Sequence, residues 1–196
     1  MNRRNFLTHA GLLSCSAHFS ANHLHAIDQV ASDAKVLKGH RVDKVEFLSA
    51  NYHFPRFVGR NSQLKPNGQH KKDSCVRLYT DQGAVGWGRG SGGRDRKKLI
   101  KSLIGKTIDQ LFVPSVGTRN GVHPAFDLAL HDLAGVILKK PVYQMLGAKG
   151  SKATDVYSGM IYFDELDKEG EYIGIDKVIQ NCQWDYDYGY RKVKVK

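Results

Sequence analysis

Residues Val122–Leu138 constrain this chain most. Ala125, Phe126, Leu128, Ala129, Leu130, Leu133, Ala134, Val136 and Ile137 make an apolar stripe wider than a surface helix needs. The spacing predicts a helix buried on much of its surface. Pro124 suits its first turn, and Lys139-Lys140-Pro141 ends it. Val142–Leu146 adds a short helical turn that Gly147 stops. Asp127 and Asp132 lie on the long helix, where capping or ion-pair contacts are expected of them. His123 and His131 sit at i and i+8, a spacing that reads as packing or surface and not as a metal pair.

The stretch before this helix reads as strands. His40–Phe54 carries Val42, Val45, Phe47 and Leu48, with alternation breaking near Phe47-Leu48. Asn51–Gly68 is polar and holds Pro55, Gly59, Pro66 and Gly68, which predicts a loop. Ser74–Thr80 alternates, Asp81-Gln82-Gly83 supplies turn chemistry, and Ala84–Gly88 reads as a third strand. The fold class is therefore α+β, an antiparallel three-stranded meander plus helices. Gly88-Arg89-Gly90-Ser91-Gly92-Gly93 matches the dinucleotide pattern G-x-G-x-x-G. Its strand ends a hairpin instead of opening a βαβ unit, and the charged run Arg94–Lys98 is a poor helix face for a parallel sheet. The match is therefore read as fortuitous.

The 196 residues leave room for one domain or two small ones, and 41% hydrophobic residues suffice for a core. The net charge of +11 permits contact with polyanions. The basic residues are scattered along the chain, however, and accompany no nucleic-acid-binding motif, so nucleic acid is not favoured as a partner. The three cysteines, Cys15, Cys75 and Cys182, show no CxxC spacing. A Cys75–Cys182 bridge is left open. Residues 1–26 hold Arg3-Arg4 followed by Asn5-Phe6-Leu7, a weakly apolar run and no acidic residue. They read as a twin-arginine signal, too short and polar to span a bilayer, which predicts export to the periplasm or cell envelope.

The segment Gly189-Tyr190-Arg191-Lys192-Val193-Lys194-Val195-Lys196 reads as one strand entered from a glycine. Period-two alternation puts Lys192, Lys194 and Lys196 on one face and Val193 and Val195 on the other. In water, such lysines guard a sheet edge. In a protected site, paired ammonium groups disfavour each other's charged form, and a lysine so placed can take a proton at neutral pH. The pattern by itself favours the solvated strand.

Longer matches change that balance. Pro124-Ala125-Phe126-Asp127-Leu128-Ala129-Leu130-His131-Asp132-Leu133-Ala134-Gly135, running on to Pro141-Val142-Tyr143-Gln144-Met145-Leu146-Gly147, resembles a helix and turn of the mandelate racemase/muconate-lactonizing enzyme branch of the enolase superfamily. Thr80-Asp81-Gln82-Gly83-Ala84-Val85-Gly86-Trp87-Gly88 resembles the T-D-x-G-x-x-G-W-G hairpin of the same family. The chain departs from the family pattern at Arg89, where an acidic residue is usual, and at His131, where Trp is frequent. After the signal read at 1–26, the resemblance implies a capping domain at 27–150 and the start of a (β/α) TIM-type barrel at 151–196. Thr154–Tyr162 would be its first strand, Lys177–Tyr188 part of the following helix, and Gly189–Lys196 its second strand.

By the same resemblance, Lys194-Val195-Lys196 matches the family's K-x-K motif. Lys196 is then the general base that takes a proton beside a carboxylate, and Lys194 helps hold that carboxylate. Tyr52-His53-Phe54-Pro55-Arg56 falls where the family's specificity loop lies, which implies His53 and Arg56 as substrate contacts; a solvated loop is the alternative. The complete family member uses Mg²⁺, acts on a small carboxylate such as a sugar acid, and is often a homo-oligomer. Its metal-binding carboxylates belong to later barrel strands, so no residue here is read as a metal ligand. The 196-residue chain is accordingly expected to be an inactive N-terminal portion of an incomplete barrel. Racemisation, epimerisation, cycloisomerisation and dehydration stay open. A second reading is an exported, basic, non-catalytic domain that binds polyanions.

Overall fold

The computed structural model describes residues 28–60, 63–148, 150–151, 153–163 and 174–196, so the leader read at 1–26 lies outside the described residues. Its contacts divide into two compact units. One comprises the described residues of Met1–Leu48 and Cys75–Lys149, the other those of Ser49–Ser74 and Gly150–Lys196.

In the first unit a helix, α1, covers residues 28–38. Three strands follow in the order β1 (Val42–Val58), β2 (Gly68–Thr80) and β3 (Val85–Arg89), and they are neighbours in one sheet. β2 and β3 pair antiparallel, with Arg77 opposite Trp87 and Leu78 opposite Gly86. Their turn closes as the sequence predicts. The Thr80 and Gly83 amides bond Ala84 O and Thr80 O, both at 2.9 Å, and the Ala84 amide donates to the Thr80 hydroxyl at 3.1 Å. Gly83 sits at φ +81°, a conformation that L side chains rarely adopt.

Helix α2 (Arg96–Leu103) and two short strands, β4 (Phe112–Val113) and β5 (Gly117–Thr118), lead to α3 (Asp127–Leu138) and α4 (Val142–Met145). The stripe on α3 is the centre of the core: Phe126, Ala129, Leu130, Leu133 and Ala134 pack with Val76, Leu78 and Phe112. The glycines of β3 explain how a helix lies so close to a sheet. A Cβ on Gly86 would stand 2.4 Å from Leu133 N, and one on Gly88 would stand 2.6 Å from Ala129 N. A Cβ on Gly90 would fall on the Ala125 carbonyl at 2.0 Å. The first two glycines of the G-x-G-x-x-G match are thus packing surfaces, Gly88 for α3 and Gly90 for the turn that precedes it. Asp132 accepts from the Trp87 amide at 2.8 Å, which fastens helix to strand. His123 accepts from the Ala125 amide, and His131 meets the edge of Phe112 at 4.9 Å, both packing roles.

Gly86→Ala is expected to lower stability by at least the 1–3 kcal/mol typical of an overfilled core, about, because the clash is with backbone. A urea melt checks it. An unchanged midpoint would mean that α3 can ride up on β3 without loss.

Two readings of the sequence need correction or addition. The first part of the predicted loop Asn51–Gly68 is strand, because β1 runs on to Val58, and β2 begins at Gly68. Residues 49–53 are exposed throughout, so no buried face marked them as a strand. Helix α1 had no counterpart in the reading, although Val30, Asp33, Ala34 and Leu37 recur at helical spacing on its covered face. Leu37 is fully buried, and Lys140 Nζ holds both Asp33 carboxylate oxygens at 2.7 Å.

The second unit contains β6 (Ser158–Ile161), α5 (Ile175–Tyr188) and β7 (Val193–Val195). β6 and β7 are parallel, a pairing that requires a crossover connection, here containing α5. Gly189, at φ +121°, lets the chain leave α5 toward β7. The residues of β1 and β2 between Ser49 and Ser74 belong to this unit as well. Cys75 and Cys182 are free thiols.

Candidate active site

The site is built on the parallel pair. Ser158 lies opposite Val193 and Ile161 opposite Val195. The Ser158 amide bonds Lys192 O at 2.9 Å, the Lys196 amide bonds Ile161 O at 3.0 Å, and the Phe163 amide bonds Lys196 O at 2.8 Å. These bonds fix the backbone of Lys196 one residue beyond β7. Alternation leaves Lys194 and Lys196 on one face of the strand. The Lys196 ammonium stands over the buried Tyr162 ring, 5.2 Å from its centroid, a cation–π contact that orients it. Lys194 is exposed. Lys192 pairs instead with Asp155, and both side chains are open to water, so that pair adds little.

Arg56 reaches the same strands from β1. Its Nη2 donates to the Met160 carbonyl of β6 at 3.0 Å and lies 3.7 Å from Asp185 Oδ2. Asp185 is only 3% exposed and accepts the Ser158 hydroxyl at 2.5 Å. Arg56, Ser158, Met160 and Asp185 thus form one buried polar cluster beside a cavity of about 240 Å³ walled by Phe54, Trp184, Tyr188 and Tyr190. Neighbouring Cys182 is affected: burial pushes its thiol up, the Asp185 charge adds to this, and Arg56 partly opposes it.

His53 does not join this cluster; it is exposed on β1 and meets the His70 ring of β2 edge to face, with centroids 4.6 Å apart. The structure therefore places Lys194, Lys196 and Arg56 on or against adjacent strands and turns His53 toward another histidine. Sequence reasoning missed Asp185, Ser158 and Tyr162. Asp185 had a signal, since Val178, Asn181 and Asp185 recur at helical spacing and all three are buried. A carboxylate on the buried face of a helix demands a partner. Among the described residues, no group of three or more His, Cys, Asp or Glu could hold a metal ion.

Known proteins share this arrangement of elements. A galacturonate dehydratase from Geobacillus sp., solved with D-galacturonate and 5-keto-4-deoxy-D-galacturonate, superimposes with a TM-score of 0.65 at 21% identity, over 81% of this chain and 41% of its own. A mandelate racemase/muconate lactonizing protein from Geobacillus sp. Y412MC10, solved with magnesium and tartrate, gives 0.64 at 21% identity, over 81% and 42%. The chain shares its fold with these two solved structures over the matched residues.

An enolase from Pseudomonas fluorescens Pf0-1 with magnesium, potassium and tartrate agrees at 0.56 and 16% identity, over 80% and 45%. In sequence, a D-xylonate dehydratase from Haloferax volcanii is 31% identical over 111 residues, covering 48% of this chain and 27% of that protein. No protein-family model matches the chain. The chain thus spans about two fifths of the length of the first two solved structures and 27% of the curated relative. No helix among the described residues is long and apolar enough to cross a membrane.

Proposed function

We propose that this chain supplies the capping domain, the first two barrel strands and the general base of an enzyme that removes the proton beside the carboxylate of a sugar acid. The observation that carries the reading is the parallel pair β6–β7, with Lys194 and Lys196 alternating at the end of β7, within a fold shared with the galacturonate dehydratase. In this reading neutral Lys196 takes the α proton on its Nζ, and Tyr162 holds the ammonium so formed by its ring face. Lys194 offers a positive charge to the substrate carboxylate. Arg56 keeps the end of β1 against β6, and His53 lies on the same strand, so this stretch forms the wall that meets the rest of the substrate.

The galacturonate and xylonate dehydratases among the relatives favour loss of water after proton removal over racemisation or cyclisation. Magnesium accompanies two of the solved relatives and would stabilise the anion in a complete enzyme. No group of three or more His, Cys, Asp or Glu gathers among the described residues, and in this reading the ion's carboxylates belong to later barrel strands. The twin-arginine pattern at residues 1–26 makes the proposed enzyme an exported one.

The reading is tested by exchange of the α proton in D₂O, followed by NMR with D-galacturonate, D-xylonate and tartrate plus Mg²⁺. The 196-residue chain alone is expected to give no metal-dependent exchange. The same chain fused to the remaining length of the Geobacillus galacturonate dehydratase is expected to give it. Exchange by the 196-residue chain, or none by a folded fusion, would overturn the proposal. Salt-dependent binding of polyanions by a monomeric 196-residue chain would favour the second reading, to which the net charge of +11 points.

A further inference from the structure

We propose that His53 and His70 form a two-histidine chelate for a divalent late transition metal, Cu²⁺ foremost. The two side chains come from neighbouring strands of the same sheet, β1 and β2, within one compact unit. Both are exposed, so a metal ion reaches them and water completes its coordination.

The spacing allows a shared ion. A metal–nitrogen bond of about 2.0 Å, plus about 1.1 Å from nitrogen to ring centre, puts each centroid about 3.1–3.2 Å from a bound ion. Two rings at a right angle about that ion then have centroids about 4.5 Å apart, and two at the tetrahedral angle about 5.2 Å. The observed separation is 4.6 Å, with ring planes at 84°. At that separation, rotation of the two exposed side chains brings one nitrogen of each ring to a shared ion, and the order of divalent-metal affinities for nitrogen ligands puts Cu²⁺ above Ni²⁺ and Zn²⁺. Imidazole also suits these ions better than Mg²⁺ or Ca²⁺. The inference stands on the strand pair alone and is independent of the proposed reaction.

The test is titration of the full chain with Cu²⁺, Ni²⁺ and Zn²⁺ by calorimetry, with electron paramagnetic resonance for copper. His9, His18, His23 and His25 near the N-terminus also offer nitrogen ligands, so the reading comes from a difference. The wild type is expected to bind one Cu²⁺ more than the H53N/H70N double variant. Each single variant is expected to weaken that site at least tenfold, with the order Cu²⁺ above Ni²⁺ and Zn²⁺ in the wild type. A measurement without variants accompanies it: substoichiometric Cu²⁺ is expected to broaden the amide signals around His53 and His70. Equal copper binding by wild type and double variant, or broadening confined to the N-terminal histidines, would overturn the site.

Discussion

Lys196→Met in the dehydratase fusion is expected to lower the rate of α-proton exchange by about 10³-fold, within the range that a positioned general base contributes. The backbone of residue 196 is held at both ends by bonds to Ile161 and Phe163, so the substitution leaves the strand in place and removes only the amine. Lys194→Met is expected to raise KM more than it lowers kcat, because its charge binds substrate and transition state alike. The contrast between the two variants is the decisive measurement. Equal losses at both positions would assign the lysines a shared electrostatic role and remove Lys196 as the base. Full activity in Lys196→Met would return β7 to a solvated basic strand.

The largest stability effect is expected at Arg56. Its side chain is 14% exposed and that of Asp185 is 4% exposed, so the pair is shielded from water. Arg56→Ala leaves the carboxylate buried with only the Ser158 hydroxyl and orphans the Met160 carbonyl. Breaking one side of a buried pair costs about 3–5 kcal/mol. Arg56→Met with Asp185→Leu removes both charges and is expected to recover most of that loss, since a buried pair replaced by apolar side chains is often close to neutral. Thermal melts of the two variants separate these outcomes. If the double variant is no more stable than Arg56→Ala, the cluster acts through shape and not through charge.

The sequence was most readable where burial and pattern coincide. The turn at Asp81–Gly83 and the α3 stripe follow from local residue types, and the structure has both. The glycines at 86 and 88 were legible only as letters of a motif; their use as contact surfaces depends on α3, far along the chain. The strand at 51–58 was hidden because hydrogen bonding to a neighbouring strand, and not an apolar face, holds it extended. In the site, the alternation of Lys194 and Lys196 was readable from period two. The role of Arg56 was not, because a guanidinium in a polar stretch looks like any exposed arginine until Asp185 and the Met160 carbonyl are brought to it.

The chain's tryptophans provide a way to observe its two units apart. There are two, Trp87 in the unit containing α3 and Trp184 in the unit containing α5. Trp184 stacks on Tyr188 with centroids 5.2 Å apart and planes 10° from parallel, whereas Trp87 is 61% exposed. The stacked ring is therefore expected to contribute most to the near-ultraviolet circular dichroism, and Trp87, more open than Trp184 at 37%, to be quenched more readily by small solutes. Each half of the molecule carries its own optical signal, so cooperative and stepwise unfolding are distinguishable in the unlabelled protein.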